Sequence, residues 1–520
     1  MEKKQLIFKN MSFVSVGIMI SRILGYFRDM LVASLFGAGF YADAFYAAFR
    51  IPNLFRRLFG ENSLNAVFVP VFSEILYKKQ KQDVENFVSA VSTVMFILLS
   101  IITILGIIFS YSITKIITWG FPKDKIVLTS ELLKIMFPYT ILICFAALWL
   151  SILNCLKIFF IPSMSSASLS IAEIIFVLFI AHSLSEKQRI YGLAFSVLAG
   201  GILQFLINYL MVTDKYKIKI NFEKLFYYLN MPEIKKMFIL FIPVIIGFSV
   251  DQINALVDTL CASFLKEGSV TALYYSNRLM QLPLALFAIS MVTVALPQMS
   301  TEAVKDDYHE LTQTLVYSVR NITFFILPAT VGLIILGEPI IKVLFERGKF
   351  TQQATLMTYS CLSFYSIGLL SFSFSKIFTS VFYALKNTKY PLKVALCVLV
   401  LNIILNVTLM QFLAVGGLAL ATSISSTVAV FLLWLKIKHE VKKQVVSLLR
   451  NFFIKIIFVN ILFAVFLVCL KMVLKHVFML TFLGITTGII FYFLCSYLFK
   501  IEETKIISNF ISRFISFVYE

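Results

Sequence analysis

The sequence predicts an all-α, multi-pass membrane protein, on the basis of its composition, its long apolar segments and an internal repeat. Of its 520 residues, 60% are hydrophobic and 14% are charged, and the mean hydropathy is +0.91. Soluble domains contain about 45–50% apolar and about 25% charged residues. The chain therefore has too few polar side chains to cover a soluble fold, and we expect most of it to lie in a bilayer.

Apolar windows of about 20 residues, the length that crosses a bilayer as a helix, indicate about 14 spans. They lie at residues 11–35, 42–76, 84–111, 127–155, 162–182, 190–213, 236–265, 269–299, 311–336, 353–384, 391–413, 416–437, 451–473 and 477–499. The second window is longer than a bilayer is thick and contains Pro52, Gly60 and Pro70. We therefore expect a kinked or broken helix there.

The first twelve spans form two related halves. The sequence ASLF at 33–36 recurs as ASFL at 262–265, an offset of 229 residues. The same offset pairs Gly39 with Gly268, Phe121 with Phe350, Lys157 with Lys386, and Pro162 with Pro391. The predicted organisation is two pseudo-symmetric six-helix lobes (1–213 and 236–437), an amphipathic cytoplasmic linker (214–235), and two extra helices with a cytoplasmic tail (438–520). A parallel repeat of this kind places a substrate between the lobes and suits alternating access.

The net charge of +19 indicates membrane topology rather than nucleic-acid binding. The lysines lie mostly in short connections between apolar windows, and their distribution predicts that both termini are cytoplasmic. The seven cysteines form no C-x-x-C pair and the four histidines show no metal-binding spacing, so no metal enzyme is expected. The sequence also lacks a P-loop, which excludes ATP-driven export by this chain alone.

The most informative stretch is 21–74, where two apolar windows carry many charges. These are Arg22, Arg28, Asp29, Asp43, Arg50, Arg56, Arg57 and Glu61. A charge at the bilayer centre costs about 2.5–3.5 kcal/mol on insertion scales. The charges must therefore face a wet interior or one another.

Four arginines are the candidates for a shared binding cavity: Arg22, Arg28, Arg56 and Arg278. A guanidinium stays charged at any relevant pH and grips phosphate or carboxylate through two parallel hydrogen bonds. Such a cluster in a membrane cavity predicts an anionic substrate, with pyrophosphate as the obvious fit. The structural alternative for Arg28 is an ion pair with Asp29. Asp43 and Glu61 are expected either to neutralise arginines or to line a lateral opening.

A second set of polar residues lies in the later spans. Asp258, Asn402, Asn406 and Thr422 bring oxygen atoms, which hard cations such as Na⁺ prefer. The competing interpretation of the Asn and Thr residues is hydrogen bonding between helices.

Seven stretches of the sequence form a recognisable set: SRILGYFRD at 21–29, FGAG at 36–39, ADAF at 42–45, IPNLFRRLF at 51–59, AVFVP at 66–70, residues 274–283, and GKFT at 348–351. They resemble the MurJ (MviN) family of lipid II flippases, in the multidrug/oligosaccharidyl-lipid/polysaccharide exporter superfamily. The resemblance covers essentially the whole chain. It implies two six-helix lobes around a cationic cavity, and two extra helices that form a groove for an undecaprenyl tail.

The resemblance also implies residue roles. The substrate-binding residues would be Ser21, Arg22, Arg28, Asp29, Arg56 and Arg278, and the acidic portal or cavity residues Asp43 and Glu61. A sodium site would fall on Asp258, Asn402, Asn406, Leu418 (through its carbonyl) and Thr422. Asn406 stands where the family pattern has Asp, which removes one negative charge from that site.

The predicted function is movement of lipid II, the undecaprenyl-pyrophosphate-linked disaccharide-pentapeptide, from the cytoplasmic to the outer leaflet of a bacterial inner membrane. Membrane potential, Na⁺ or both would drive it, with no other cofactor, in a functional monomer that contacts cell-wall synthesis proteins. Three alternatives stay open. A cation-coupled drug or polysaccharide exporter of the same superfamily would need an acidic cavity. A membrane enzyme of cell-wall synthesis would need carboxylates or a nucleophile on outer loops. A scaffold would leave the buried arginines unexplained.

Overall fold

The computed structural model describes residues 2–78, 80–158, 164–216, 228, 231–304, 308–437 and 439–504, and all regular secondary structure in them is helical. The first part of the chain contains α1 (Glu2–Phe36), α2 (Phe40–Phe55), α3 (Asn62–Lys78), α4 (Lys81–Ile108), α5 (Ser110–Ile117), α6 (Lys123–Met136), α7 (Tyr139–Cys155), α8 (Ser168–Ile175) and α9 (Glu186–Tyr216). Most of the predicted linker (214–235) and the tail from residue 505 lie outside the described residues.

The second part contains α10 (Pro232–Ser263), α11 (Ser269–Pro283), α12 (Ser290–Val304), α13 (Tyr308–Phe345), α14 (Gln352–Ala384), α15 (Lys389–Lys436), α16 (His439–Val473) and α17 (Val477–Leu498). Among the described residues, nine helical stretches are long and apolar enough to cross a membrane. The predicted class of an all-α, multi-pass membrane protein is confirmed. The count of fourteen spans stays a prediction.

The second predicted window is broken, as its prolines and glycine indicated. Between α2 and α3 the chain forms a π-helical segment, Arg56–Glu61. Pro52 lies inside α2 and Pro70 inside α3, and proline removes a helical N–H donor. A π-helical turn carries one more residue than an α-helical turn, so the register of the side chains changes between α2 and α3.

One long helix contains a sharp break. In α15, Ala414 has φ 48° and ψ −133°, far from helical values. This position falls directly after the predicted span 391–413 and before the span 416–437. The break therefore separates the two apolar windows that the sequence distinguishes.

The repeat is visible in backbone detail. Lys157 and Lys386, which the 229-residue offset pairs, both have positive φ, at 63° and 57°. The hydrogen bonds around them also match. Lys157 N–H donates to Asn154 O and Lys386 N–H to Tyr383 O, both at 3.0 Å. A left-handed residue without a glycine is uncommon, so its recurrence at the same register shows that the two halves share one local design.

The chain divides into two compact units. The first comprises Met1–Thr271 and Arg347–Phe350, and the second Ala272–Glu346 and Thr351–Glu520. Helix α10, which the repeat assigns to the second lobe, packs in the first unit. Lys236 pairs with Glu74 at 3.5 Å, and the Arg50 guanidinium donates to Thr259 Oγ1 at 3.2 Å. The lobe boundaries rest on the repeat and stay a prediction.

The two extra helices pack against α13 within the second unit. Arg320 on α13 binds Glu502 at 2.7 Å and Glu503 at 2.5 Å, just beyond the end of α17. The Tyr492 hydroxyl donates to Phe324 O at 2.6 Å, and their rings lie 5.4 Å apart. Ionic contacts at the helix end and aromatic contacts along it thus fix α17 to the unit.

Candidate functional site: the charged face of the first helix

Helix α1 presents two pairs of polar residues. Ser21 and Arg28 are seven residues apart, as are Arg22 and Asp29, and seven residues make about two helical turns. Each pair therefore lies on one face, and the two faces differ by about 100°. The sequence SRILGYFRD thus builds two neighbouring polar stripes on a helix whose other positions are mostly apolar.

The Ser21–Arg28 stripe faces the segment that leads into and forms α8. Ser166 Oγ donates to Ser21 Oγ at 3.0 Å, and seven residues later Arg28 Nε lies 3.6 Å from Glu173 Oε2. Equal spacing on both segments shows that they run parallel here. The contact fixes the direction in which Arg28 points.

Arg28 is held by two carboxylates. Its Nη2 lies 2.6 Å and its Nε 3.0 Å from Asp29 Oδ1, in addition to the Glu173 contact. The Arg28 side chain is 9% exposed, that of Asp29 1% and that of Glu173 5%. The ion pair between Arg28 and Asp29, one of the two sequence-based alternatives for Arg28, is therefore present. Glu173 was not among the predicted residues.

Arg22 is in a different situation. It is partly buried, and it makes no hydrogen bond or ion pair with any residue that the structure describes. It lies on the stripe that turns away from α8. A guanidinium in a membrane-spanning segment is costly unless an anion or water serves it. Arg22 is thus the arginine of α1 that is open to an anionic ligand.

The remaining predicted residues of the substrate and portal sets are dispersed over other elements. Arg56 begins the π segment, and its Nε donates to Asn53 Oδ1 at 3.0 Å. Arg278 is partly buried on α11, in the second unit. Glu61 ends the π segment, and its side chain lies outside the described side chains.

Asp43, predicted to neutralise an arginine or to line an opening, is paired with a lysine in this structure. It is 1% exposed and accepts hydrogen bonds from the Gly268 N–H (2.7 Å), the Thr271 N–H (2.9 Å) and the Thr271 hydroxyl (2.7 Å). Lys125 Nζ lies 3.0 Å from its Oδ2 and is equally buried. This pairing could not be predicted from the sequence, because Lys125 is in a KDK cluster that resembles a solvated helix start.

Lys125 belongs to α6 and is held by more than its ion pair. Its ammonium lies 4.3 Å from the centre of the Phe121 ring and 5.5 Å from that of Phe40. Cation–π attraction of this kind strengthens when the cation is removed from water. The carboxylate and both rings together satisfy a lysine that is fully enclosed.

Around Asp43, two hydrogen bonds donated by backbone N–H groups close this end of the first unit. Lys349 N–H donates to Ser34 O at 2.8 Å, and Gly120 N–H donates to Ser263 Oγ at 3.0 Å. Under the 229-residue offset Ser34 corresponds to Ser263, and Gly120 to Lys349. The two contacts are therefore exchanged by the repeat, as a pseudo-twofold closure requires. Lys349 also pairs with Glu186.

Glycine is needed where the closure is tightest. Gly348 has φ +57°, and a Cβ built on it would lie 2.3 Å from Ser34 O. A side chain at this position would meet both backbone strain and a steric clash.

The residues implied for sodium include four in the second unit that form a hydrogen-bonded set. Asn406 Nδ2 donates to Asn402 Oδ1 at 3.0 Å, Asn402 Nδ2 donates to Thr422 Oγ1 at 3.4 Å, and Thr422 Oγ1 donates to Leu418 O at 3.1 Å. Asp258 lies on α10 in the first unit. The oxygens of Asn402, Leu418 and Thr422 thus accept hydrogen bonds within the set, as the hydrogen-bonding interpretation expects, and the sodium site stays a prediction.

Comparison with known proteins decides the family. Residues 32–487 match the family described as "Lipid II flippase MurJ". The chain belongs to the MurJ family of lipid II flippases. A probable lipid II flippase MurJ of Buchnera aphidicola subsp. Acyrthosiphon pisum is 38% identical over 469 residues, 89% of each chain. One from Vibrio cholerae is 36% identical over 438 residues, 81% of each chain.

Solved structures agree with this assignment to the MurJ family. The structure titled "Lipid II flippase MurJ, inward closed conformation" has a TM-score of 0.77 and 29% identity, covering 94% of this chain and 98% of the other. An inward-facing multidrug resistance MATE transporter has a TM-score of 0.70 at 16% identity, covering 85% and 99%. The second likeness shows the fold alone. MurJ membership confirms the predicted transporter class and does not favour a drug exporter or an enzyme.

Proposed function

We propose that the protein moves lipid II from the cytoplasmic to the outer leaflet of a bacterial inner membrane by alternating access. Membership of the MurJ family supports the substrate. The observation that carries the mechanism is the Arg22 guanidinium, which lies on α1, within the first predicted span, and has no anionic partner among the described residues. The diphosphate of the lipid is the chemical group that such a guanidinium binds best.

In this proposal Arg22 makes the first contact with the diphosphate. Arg28, on the neighbouring stripe, binds the diphosphate next. Its guanidinium then leaves the carboxylates of Asp29 and Glu173 for the anion. Arg56, at the start of the π segment, and Arg278, from the second lobe, complete the set of phosphate contacts. The undecaprenyl tail stays in lipid along α16 and α17, so only the polar headgroup has to cross.

We propose that the hydrogen bonds around Asp43 close the protein at its outer, non-cytoplasmic end. With cytoplasmic termini, α1 runs outward and ends at Phe36, next to Ser34 and Gly37. While Asp43 holds Gly268 and Thr271, the headgroup enters from the inner leaflet between the first and eighth spans. Release to the outer leaflet requires these bonds to break, while Asp43 keeps Lys125, which belongs to the same lobe.

Membrane potential is the proposed driving force. An inside-negative potential favours outward movement of an anion by about 2.3 kcal/mol per charge per 100 mV. A doubly charged headgroup gains about 4–5 kcal/mol, enough to bias the cycle. Sodium is not needed in this scheme. We further propose that the protein functions as a monomer that contacts cell-wall synthesis proteins.

A reconstituted flipping assay tests the role of the arginines. Arg22→Ala and Arg278→Ala are each expected to lower lipid II movement by at least about tenfold, because each removes a charge-assisted phosphate contact. Arg450→Ala is the matched control, since it removes an exposed guanidinium from α16. If Arg22→Ala and Arg278→Ala both move lipid II at the rate of Arg450→Ala, the proposed mechanism is refuted.

A further inference from the structure

Glu173 is a buried carboxylate that the mechanism above does not use. It lies on α8, in a predicted span (162–182) whose other residues carry no charge except a terminal histidine. Its Oε2 is 3.6 Å from Arg28 Nε. A buried acid of this kind is rare in a membrane span and marks a function or a fixed partner.

The internal repeat allows the positions of Arg28 and Glu173 to be compared with their counterparts in the second lobe. The offset of 229 residues pairs Arg28 with Val257, Asp29 with Asp258, and Glu173 with Asn402. The matched backbone at Lys157 and Lys386 lies shortly before the last pair, so the register is well supported there. The first lobe therefore has a guanidinium and a second acid where the second lobe has an apolar side chain and a neutral amide. Both charges are present in the first lobe, and both are absent from the matching positions of the second.

We propose that Glu173 sets how firmly the protein holds its diphosphate ligand, by competing with that ligand for Arg28. The inference rests on the proposed function and concerns the same site. Asp29 is adjacent to Arg28 in the chain and is present in both lobes. Glu173 comes from another helix and is the acid that the first lobe adds.

The physical argument is one of like charges. A diphosphate that reaches Arg28 must approach the Glu173 carboxylate, and two anions in a poorly solvated site repel each other strongly. The repulsion weakens binding, and it also returns Arg28 to the carboxylates when the ligand leaves. A flippase needs this, because an anion held too tightly would not be released on the far side.

The test measures binding of farnesyl diphosphate, a short lipid diphosphate, to the full-length protein in nanodiscs by calorimetry. Glu173→Gln keeps the shape and removes the charge, and it is expected to lower Kd by about tenfold. Glu173→Asn, which installs the residue of the second lobe, is expected to act in the same direction. Glu173→Asp keeps the charge and should stay near the wild type.

Glu131→Gln is the matched control. Glu131 is a partly buried carboxylate on α6 that accepts a hydrogen bond from Tyr191, so its change removes one charge from the same unit away from Arg28. We expect its Kd to equal that of the wild type. In flipping assays Glu173→Gln should lower both the half-saturating lipid II concentration and the maximal rate. A packing defect would lower the maximal rate without lowering the half-saturating concentration.

The outcomes separate this inference from the proposed function. If Arg22→Ala loses binding while Glu173→Gln and Glu173→Asn bind like the wild type or more weakly, the role of Glu173 is refuted and the diphosphate site stands. If the wild type does not bind the lipid diphosphate, or Arg22→Ala binds it equally well, both proposals fail.

Discussion

Two buried ionic clusters in the first unit contain similar charged groups but differ in the ratio of hydrogen-bond donors to carboxylates. At the closure, Asp43 receives four hydrogen bonds, from Lys125, Gly268 and Thr271. On α1, two carboxylates share the single guanidinium of Arg28. The first cluster has every carboxylate lone pair engaged. The second has its cation divided between competing anions, with the open guanidinium of Arg22 on the adjacent stripe.

The comparison indicates why one cluster is structural and the other exchangeable. A buried carboxylate that accepts hydrogen bonds from two other segments holds its own segment to them, and every lone pair that it offers is already used. A guanidinium shared by carboxylates can pass to a phosphate, because the donors it needs are already aligned. Burial alone therefore does not identify the ligand site. The balance of donors and acceptors does.

The largest effect should come from removing Lys125. Lys125→Ala leaves the Asp43 carboxylate buried without its cation, which should destabilise the protein by about 3–5 kcal/mol. Thermal unfolding of the purified protein measures this. Lys115→Ala, an exposed lysine on α5, is the control and should change little. The double variant Asp43→Asn with Lys125→Met should recover part of the loss, and an unchanged melting temperature in Lys125→Ala would contradict the structural role.

A smaller effect is expected from the glycine of the closure. Gly348→Ala introduces a Cβ 2.3 Å from Ser34 O at a positive φ, at a cost of about 1–3 kcal/mol. The change should lower the melting temperature and slow flipping. Gly39→Ala provides the control, since a Cβ there meets nothing within 4 Å. Equal behaviour of the two variants would show that the closure is not formed as described.

Ionic strength should separate the two clusters. Raising KCl from about 0.1 to about 0.5 M shortens the screening length and weakens contacts that water reaches. Binding of a lipid diphosphate to Arg22 should weaken several-fold, while the melting temperature set by the enclosed Asp43–Lys125 pair should hardly move. If the melting temperature falls and binding does not, the assignment of the two clusters is reversed.

The smallest effect concerns sodium. Since the side-chain oxygens of Asn402 and Thr422 accept hydrogen bonds within this set, replacing Na⁺ by K⁺ on both sides of a proteoliposome should leave flipping within about twofold, given that neutral hydrogen-bonded amides offer no charge to a cation. An imposed inside-negative potential should accelerate flipping in either salt. A strict requirement for Na⁺ would overturn the potential-driven scheme.

Much of the fold was predictable because apolar windows and the repeat act over long stretches. The break after Pro52, the separation of the spans near Ala414 and the paired Lys157 and Lys386 all follow patterns that the sequence displays. The arginines of α1 were also identifiable, since a charge in an apolar window requires a reason.

The partners of those charges were not identified, for two different reasons. Lys125 lies in the first turn of α6 among other charged residues, and nothing local distinguishes an enclosed lysine from a solvated one. Glu173, in contrast, left a signal, because it is an acid inside an apolar span and the repeat places it against Asn402. Only the fold brings Glu173 within reach of Arg28, which is 145 residues earlier in the chain.

The most direct test of the central claim is the equilibrium affinity of the purified protein in nanodiscs for a lipid diphosphate, compared between Arg22→Ala and Arg450→Ala. Binding is preferable to flipping here because transport can fail after the anion has bound. The account predicts at least a tenfold loss of affinity for Arg22→Ala, since a charge-assisted phosphate contact is lost, and none for Arg450→Ala. Equal affinity in the two variants would contradict it.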